Sequence, residues 1–285
     1  MRLSTTLNIF SLRSDGNAPA RALEGIYACK EAGFDAVDVH FNEIDMTLTH
    51  EEQDAFIEKA KEILRETGMP ISQVHARFGH VADYKDPQQL EDYYKHIIRT
   101  LELAERLGAP WAVVHPLDFM TLCGTDEEEM FKRNVDFFNH AISAVPCIGL
   151  AFENTGRTYF CNAERLLKLR EAAGNHERFG FCWDTGHGNL IEGLDQAENI
   201  MLLGKHLKCT HIQDNRGEKD DHFMPYMGII DWPKVVRALK NSGYKGDFVY
   251  ESAQPLKCLP EDNVLRMEFM KYTVKLGRYL LAMEG

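Results

Sequence analysis

The feature of this sequence that most limits its fold is a regular alternation of short apolar runs with longer amphipathic segments. Eight runs of strand length are each followed by a segment with helical periodicity, and the order repeats along the chain. Eight such units in 285 residues are what a (β/α)₈ barrel requires, and no linker or composition shift divides them. The sequence therefore predicts an α/β fold, a (β/α)₈ TIM barrel, with residues 1–285 as a single domain. The alternative, a doubly wound open sheet, would normally carry a glycine-rich phosphate turn after its first strand, and none is present.

Local signals set the bounds of the predicted units. Thr49 and Glu52 form a capping box at the start of one helix, and Gly68 ends it. Thr125 and Glu128 are interpreted as a second capping box. The predicted strands are 3–10, 35–41, 71–76, 111–115, 148–153, 179–184, 207–212 and 247–251, and the predicted helices are 18–32, 49–68, 86–108, 125–145, 162–173, 194–203, 231–243 and 260–282.

Composition argues against several classes of protein. A formal net charge of -12 argues against broad affinity for nucleic acid or anionic membranes. No apolar run approaches membrane-spanning length, and the N-terminus lacks the pattern of a secretory signal. The seven cysteines are scattered without a CxxC pair, so neither a disulfide framework nor a thiolate zinc site is expected. Reduced thiols favour a cytoplasmic protein, and a homodimer is expected only because dimers are the commonest assembly.

In six predicted strands, the last or next-to-last residue has a side chain that can bind a metal. In a barrel all strands run parallel, so these ends share the face on which barrel enzymes carry their sites. Each residue alone has an ordinary structural explanation, such as helix capping for Asp184. Together, however, they would be costly to bury without a partner, and a divalent cation would satisfy them all. The six residues are His75, His115, Glu153, Asp184, His211 and Glu251.

The oxygen-rich part of this set predicts one divalent metal, Mn²⁺, Mg²⁺, Co²⁺ or Zn²⁺, with positions open for substrate oxygens. His187 follows Asp184 by three residues and is expected to reach the same mouth. The charged side chains of the polar loop after the seventh strand either contact the ligand or are simply solvated on an exposed loop. The expected metal ligands are Glu153, Asp184, His211 and Glu251, and the loop candidates are Arg216, Asp220 and His222.

These residues lie in segments that resemble the xylose isomerase-like TIM-barrel superfamily. That superfamily includes sugar isomerases, ketose 3-epimerases, inosose-processing enzymes and endonuclease IV-type apurinic-site nucleases. One departure is Tyr226, which stands where the related loop pattern has its first glycine. The matching segments are GFDAVDVHF at 33–41, His75, His115-Pro116, ENT at 153–155, DTGH at 184–187, HIQDN at 211–215, DDHFMPYMGIIDW at 220–232, and Glu251.

The resemblance implies different sites in two branches. The epimerase and isomerase branch implies one metal at the four expected ligands. The nuclease branch implies up to three zinc ions, with His75, His115, His187, Asp220 and His222 as additional ligands. The short interval from His211 to Asp220, the loop pattern at 222–232 and the acidic balance all favour a small sugar over DNA, whose binding depends largely on Lys and Arg contacts to phosphates.

The preferred hypothesis is therefore a metal-dependent isomerase or epimerase of a sugar or sugar phosphate. Glu153 and Glu251 would act as catalytic acid and base on opposite faces of the substrate, through a metal-bound enediolate. His187 and Arg216 would hold substrate oxygens. The alternatives are a zinc-dependent apurinic-site phosphodiesterase and a binding protein with a degenerate barrel. Three aromatic residues either line the substrate or, as we favour, pack in the barrel: Phe10, Phe41 and Trp183.

Overall fold

The computed structural model describes residues 1–7, 18–42, 44, 48–78, 86–117, 126–252, 254–260 and 262–285. The strands are β1 Leu3–Thr6, β2 Ala36–His40, β3 Ile71–His75, β4 Trp111–Val114, β5 Gly149–Glu153, β6 Phe179–Asp184, β7 Leu207–His211 and β8 Phe248–Tyr250. The helices are α1 Ala18–Ala32, α2 His50–Thr67, α3 Pro87–Leu107, α4 Glu127–Ala144, α5 Ala163–Ala172, α6 Thr185–Asn189, α7 Gln196–Leu203, α8 Trp232–Asn241, α9 Gln254–Lys257 and α10 Asn263–Ala282, with a 3₁₀ turn at Gly204–His206.

In the described ranges, the eight strands form one parallel sheet in the order β7-β6-β5-β4-β3-β2-β1-β8. A parallel bridge between Ile212 and Tyr250 joins the two edge strands. The amide of Ile212 donates to the carbonyl of Val249 at 2.8 Å, and the amide of Glu251 donates to that of Ile212 at 3.1 Å. These bonds close the sheet, so the predicted single-domain TIM barrel is confirmed.

Helix capping confirms some predicted boundaries and corrects others. Both bonds of the Thr49–Glu52 capping box are present, and Gly68 ends α2 with φ 66°. Thr125 of the predicted second capping box lies outside the described residues, and the predicted cap position is wrong by one residue. The residue that caps α4 is Asp126, whose carboxylate accepts a hydrogen bond of 2.8 Å from the amide of Glu129.

The structure describes only part of the first predicted strand and two of the three candidate aromatic residues. The strand predicted over 3–10 ends at Thr6 in the structure, and 8–10, which include the candidate aromatic Phe10, lie outside the described residues. The other two candidate aromatics, Phe41 and Trp183, are fully buried in the main hydrophobic core. The indole nitrogen of Trp183 donates to Gln196 at 3.2 Å. These two side chains pack the barrel, as favoured from the sequence.

Alternation along the strands separates two environments. Side chains that point outward pack under the helices, as in the stacked rings of Phe152 and Phe179, 4.4 Å apart. Inside the barrel a small apolar cluster fills the middle, formed by Val113, Ala151, Cys182 and Cys209. The residues beyond it toward the carboxyl ends of the strands are buried and polar.

Candidate active site

The carboxyl ends of the strands bring the predicted metal-binding residues together. Ligand atoms of Glu153, Asp184, His211 and Glu251 all lie within 4.8 Å of one another, and all four residues are buried. A second group with the same spacing is formed by His75, His115 and Glu153. Glu153 belongs to both groups, so it is the centre of the cluster.

Each carboxylate oxygen of Glu153 faces a different set of imidazoles. Oε1 is 3.1 Å from His211 Nδ1 and 3.2 Å from His187 Nδ1. Oε2 is 3.2 Å from His115 Nε2 and 3.4 Å from His75 Nε2. Burial by itself would raise the pKa of Glu153, but the surrounding imidazoles, led by His211, hold it well below its usual range. Glu153 is therefore ionised at neutral pH.

His211 connects the carboxylates of three strands. Its Nδ1 is 3.3 Å from Glu251 Oε2 and 3.9 Å from Asp184 Oδ2, in addition to its contact with Glu153. Burial raises the pKa of Asp184 to about 7, which His187 opposes and the carboxylates of Glu153 and Glu251 reinforce. A divalent cation would let all of these carboxylates ionise together.

The donor set fits such a cation. Three carboxylates and one imidazole form an oxygen-rich site, which suits Mg²⁺, Mn²⁺, Co²⁺ or Zn²⁺. Glu153 Oε2 is buried and has no partner that meets hydrogen-bond geometry, and the same holds for His211 Nε2. Buried polar atoms in this condition are costly unless a ligand satisfies them. The residues therefore fit a metal, and their roles as ligands remain a proposal.

Asp184 both caps a helix and faces the cluster. Its Oδ1 accepts from the amide of His187 at 2.7 Å, which caps α6. Its Oδ2 accepts from Gln213 Nε2 at 3.3 Å and lies on the side of His211. Asn154 fixes the backbone of Asp184 through bonds of 2.6 and 2.9 Å. The capping and site interpretations of Asp184 are compatible because different oxygens serve each.

The loop after β7 adds a third group beside the mouth. Asp220 Oδ2 is 3.3 Å from His187 Nε2 and 3.1 Å from His222 Nε2. His222 Nδ1 lies 2.8 Å from the carbonyl oxygen of Glu251, which places the loop against the end of β8. Arg216 is different, because it is exposed and its guanidinium lies 5.7 Å from the ring centre of Phe223. No described contact joins Arg216 to the cluster.

Asp214 organises this loop. Its carboxylate accepts from the amides of Tyr226 and Ile230 at 3.0 and 3.2 Å and from the indole nitrogen of Trp232 at 2.9 Å. Tyr226 has φ 71°, the left-handed conformation that favours glycine. The loop therefore keeps a glycine-like backbone at the position where the sequence departs from the related pattern.

Several residues at the mouth were not among the sequence candidates. The ring of His40 stacks on that of His75 at 4.5 Å, and Phe78 stacks on His115 at 4.8 Å. Asp38 is buried, and its Oδ2 is 4.0 Å from His211 Nε2. Two of them could have been found from the sequence. Asp38 and His40 are two residues apart in β2, the spacing of side chains on one face of a strand.

None of the helices in the described part of the chain is long and apolar enough to cross a membrane.

Comparison with known proteins agrees with the fold. The model of the family described as xylose isomerase-like TIM barrel matches residues 26–270. The uncharacterised protein y4fM of Sinorhizobium fredii is 27% identical over 266 residues, which are 82% of each chain. A probable endonuclease 4 of Chlorobium phaeovibrioides is 30% identical over 142 residues, 45% of this chain and 50% of the relative.

A solved structure extends the comparison to the whole fold. The crystal structure of a D-tagatose 3-epimerase-like protein superposes with a TM-score of 0.74 at 22% identity, covering 99% of this chain and 100% of that one. This likeness establishes the shared barrel, and the family match covers most of the sequence. The chain therefore belongs to the xylose isomerase-like TIM-barrel family.

Proposed function

We propose that this protein is a divalent-metal-dependent isomerase or epimerase that transfers a proton beside the carbonyl of a small sugar or sugar phosphate. The observation that carries the proposal is the position of Glu153 and Glu251. They extend from β5 and β8, which two strands separate, yet both approach His211 Nδ1, at 3.1 and 3.3 Å. Two carboxylates that enter one site from different sides can act on different faces of a substrate.

A divalent cation held by Glu153, Asp184, His211 and Glu251 would polarise the substrate carbonyl and make the adjacent C–H more acidic. Burial raises the pKa of Glu251, but His211 and His222 outweigh it and lower the pKa overall. Glu153 and Glu251 are thus both ionised, so the carboxylate of either residue can accept a proton from a carbon of the substrate. If the opposite carboxylate takes a proton from solvent and delivers it to the other face, that carbon is inverted, whereas delivery to the former carbonyl carbon isomerises the sugar. The first carboxylate then releases its proton to solvent.

Other residues of the cluster would orient the substrate. His187 is held by Asp220 at Nε2 and by the carbonyl of Asn154, 2.9 Å from Nδ1, so its ring has a defined direction. We propose that His187 binds a substrate hydroxyl, with His75 and His115 on the other side of Glu153. Arg216 remains a weaker candidate because it is exposed. A cytoplasmic location and a homodimer stay predictions.

The test is solvent proton exchange in heavy water. Metal-loaded protein is incubated with a panel of ketoses and their phosphates, and we expect deuterium on the carbon next to the carbonyl of the true substrate. Glu153→Gln and Glu251→Gln should each slow turnover by about 10²–10⁴-fold, the usual contribution of positioned acid-base catalysis. Glu177→Gln, an exposed change before β6, is the control and should leave turnover unchanged. Turnover without exchange would instead require a hydride shift between carbons.

A second candidate function is zinc-dependent phosphodiester hydrolysis at abasic DNA. It is favoured by one observation, namely that Glu153 Oε2 also faces His75 and His115, while His187, Asp220 and His222 form a further group. These groups could hold up to three zinc ions. Because the net charge is -12, we expect an abasic-site duplex to remain uncut by zinc-loaded protein. Efficient incision that is lost in His115→Ala would establish the nuclease instead.

A further inference from the structure

The end of the barrel opposite the histidine-rich mouth contains a cavity of about 850 Å³. This volume is within the range of small-molecule sites, about 300–1,000 Å³. None of the residues that line the cavity belongs to the cluster of His75, His115, Glu153, Asp184, His211 and Glu251. The cavity is therefore separate from the candidate active site. Its walls include Arg2, Ser72, Trp111, Lys205, Lys208 and Lys245.

The charge of this cavity is opposite to that of the protein. Its one acidic wall residue, Asp247, is already bound by Arg2 through two hydrogen bonds of 2.9 and 2.7 Å. Three lysines of the wall form no ion pair within the described part of the chain. They are Lys205, Lys208 and Lys245. Three lysines without an ion pair thus line one cavity, in a chain of net charge -12.

A bulge in the sheet directs Lys208 into this cavity. Leu207 is opposite Phe181 and Cys209 is opposite Cys182, so Lys208 is the extra residue between them. A Cβ at Gly180 would overlap the Lys208 stem, so only glycine leaves room for it. The ammonium lies 5.5 Å from the ring centre of Trp111. Lys208 is therefore held in the cavity by backbone geometry, unlike a lysine that extends freely into solvent.

Neighbouring groups show the same positive environment. The pKa of His206 is lowered, first by burial and then by the charges of Arg170, Lys205 and Lys208. Ser72 Oγ accepts a hydrogen bond of 3.1 Å from Ser4 Oγ, which leaves the hydroxyl hydrogen of Ser72 available to a ligand. The cavity thus combines cationic groups and a hydroxyl donor beside the apolar ring of Trp111.

We propose that this cavity binds the phosphate group of a small anion. A phosphate dianion matches several ammonium groups and accepts hydrogen bonds from each of them. The half-buried ring of Trp111 provides an apolar wall for the organic part of a phosphate ester. The site does not depend on the proposed isomerase chemistry because the two sites share no residue.

Tryptophan fluorescence can report on this site selectively. The other two tryptophans, Trp183 and Trp232, are fully buried elsewhere in the core, whereas Trp111 lines the cavity. Magnesium-loaded full-length protein is titrated with inorganic phosphate, pyrophosphate and ribose 5-phosphate. We expect a saturable change in emission that disappears in Trp111→Phe.

Lysine variants test whether the cavity is the binding site. Lys208→Gln and Lys245→Gln should each weaken binding about tenfold or more, because each removes a charge-assisted hydrogen bond. Lys245 is exposed, so its replacement keeps the test valid if Lys208→Gln fails to fold. Lys132→Gln, an exposed lysine in the first half of α4, is the matched control and should bind like the native protein.

The outcomes separate the possible sources of the phosphate. Tighter binding of ribose 5-phosphate than of phosphate supports the proposal with an ester as ligand, and equal binding supports it with the free ion as ligand. The proposal is overturned if none of the three compounds saturates the signal, or if both lysine variants bind like the native protein. It is equally overturned if His211→Ala, at the other end of the barrel, abolishes binding.

Discussion

The two ends of this barrel are built from the same eight strands but on different physical principles. At the carboxyl end, buried carboxylates and imidazoles converge on Glu153, and some of their polar atoms lack hydrogen-bond partners. At the amino end, the ring of Trp111 fits against Gly149 and Gly180, and the ion pairs are simple. Buried charge without a complete set of partners costs stability, whereas close packing provides it. The difference indicates that the carboxyl end is shaped for a ligand.

The ion pairs at the two ends of the barrel also differ. At the amino end, Arg278 binds Asp35 and Arg2 binds Asp247, each one cation to one carboxylate. At the carboxyl end, His211 alone is within 4.0 Å of four carboxylates, those of Asp38, Glu153, Asp184 and Glu251. A pair is complete by itself, whereas the four carboxylates around His211 fit the cation that we propose they bind from solution. The predictions below test this distinction.

The largest expected effect is on metal binding at the carboxyl end. Asp184→Asn keeps a good helix cap but removes a charge, and His211→Ala removes the central imidazole. Either change should weaken Mn²⁺ binding by more than about 100-fold, since even loss of a residue that supports a ligand costs 10–100-fold. Metal analysis after dialysis and calorimetric titration measure this.

Asp184→Asn should show little loss of stability without metal. Burial raises the pKa of Asp184 to about 7, so its ionised carboxylate does not stabilise the metal-free fold. Metal-free Asp184→Asn should therefore unfold at the same or a higher urea concentration than the native protein. Asp86→Asn, the same substitution at the cap of α3, is the control for capping. Unchanged metal content in both Asp184→Asn and His211→Ala would contradict the proposed site.

The next effect concerns packing at the amino end. A methyl group at Gly149 would overlap the rigid ring of Trp111, so Gly149→Ala should lower the free energy of unfolding by about 1–3 kcal/mol. Gly180→Ala should have a cost in the same range, because its methyl group would overlap both Lys208 Cγ and the ring of Trp111. Urea unfolding measures both changes, and Mn²⁺ affinity should be unchanged. A loss of metal binding in Gly149→Ala would show that the two ends are coupled.

A smaller effect is expected at the loop beside the mouth. Tyr226 holds a left-handed backbone, which costs a non-glycine residue about 1–2 kcal/mol. Tyr226→Gly removes this strain but increases the freedom of the unfolded chain, so we expect a net stabilisation of at most about 1 kcal/mol. Thermal unfolding measures it, with the exposed neighbour Met227→Ala as control. Destabilisation would mean that the Tyr226 side chain has contacts that outweigh the strain.

The smallest effect is the pH dependence of one ion pair at the amino end. The hydrogen bonds from Arg278, with help from the amide of Leu3, lower the pKa of Asp35 although burial opposes them. Because the folded pKa is below the unfolded value of about 3.9, the stabilisation is complete above that pH and is lost as pH falls through the folded pKa.

Asp35→Asn should therefore destabilise the protein at pH 7 by no more than about 1 kcal/mol, since the pair is partly exposed. The difference from native protein should shrink as the pH approaches 3. Urea unfolding across this range measures it, and Asp136→Asn on the exposed face of α4 is the control. A difference that does not depend on pH would exclude the carboxylate charge as its cause.

Local sequence signals predicted the elements well where a cap or a glycine defines the boundary. The start of α2 at the Thr49–Glu52 box and its end at Gly68 are examples. The start of α4 was placed one residue early, because Thr125 and Asp126 are both good caps and only backbone geometry selects Asp126. His40 was overlooked although its alternation with Asp38 in β2 was a signal, and its stacking on His75 shows its place at the mouth.

The sequence by itself determined the barrel and the set of residues that share its carboxyl end. Both follow from periodicity, because eight strand-then-helix units can close only with parallel strands, whose ends then lie on one face. Tertiary structure alone decided which atoms meet. The two oxygens of Glu153 face different histidines, and a bulge at Lys208 directs that side chain into the opposite end. Such contacts depend on the register between strands far apart in the chain, and a shift of one residue reverses the direction of a side chain.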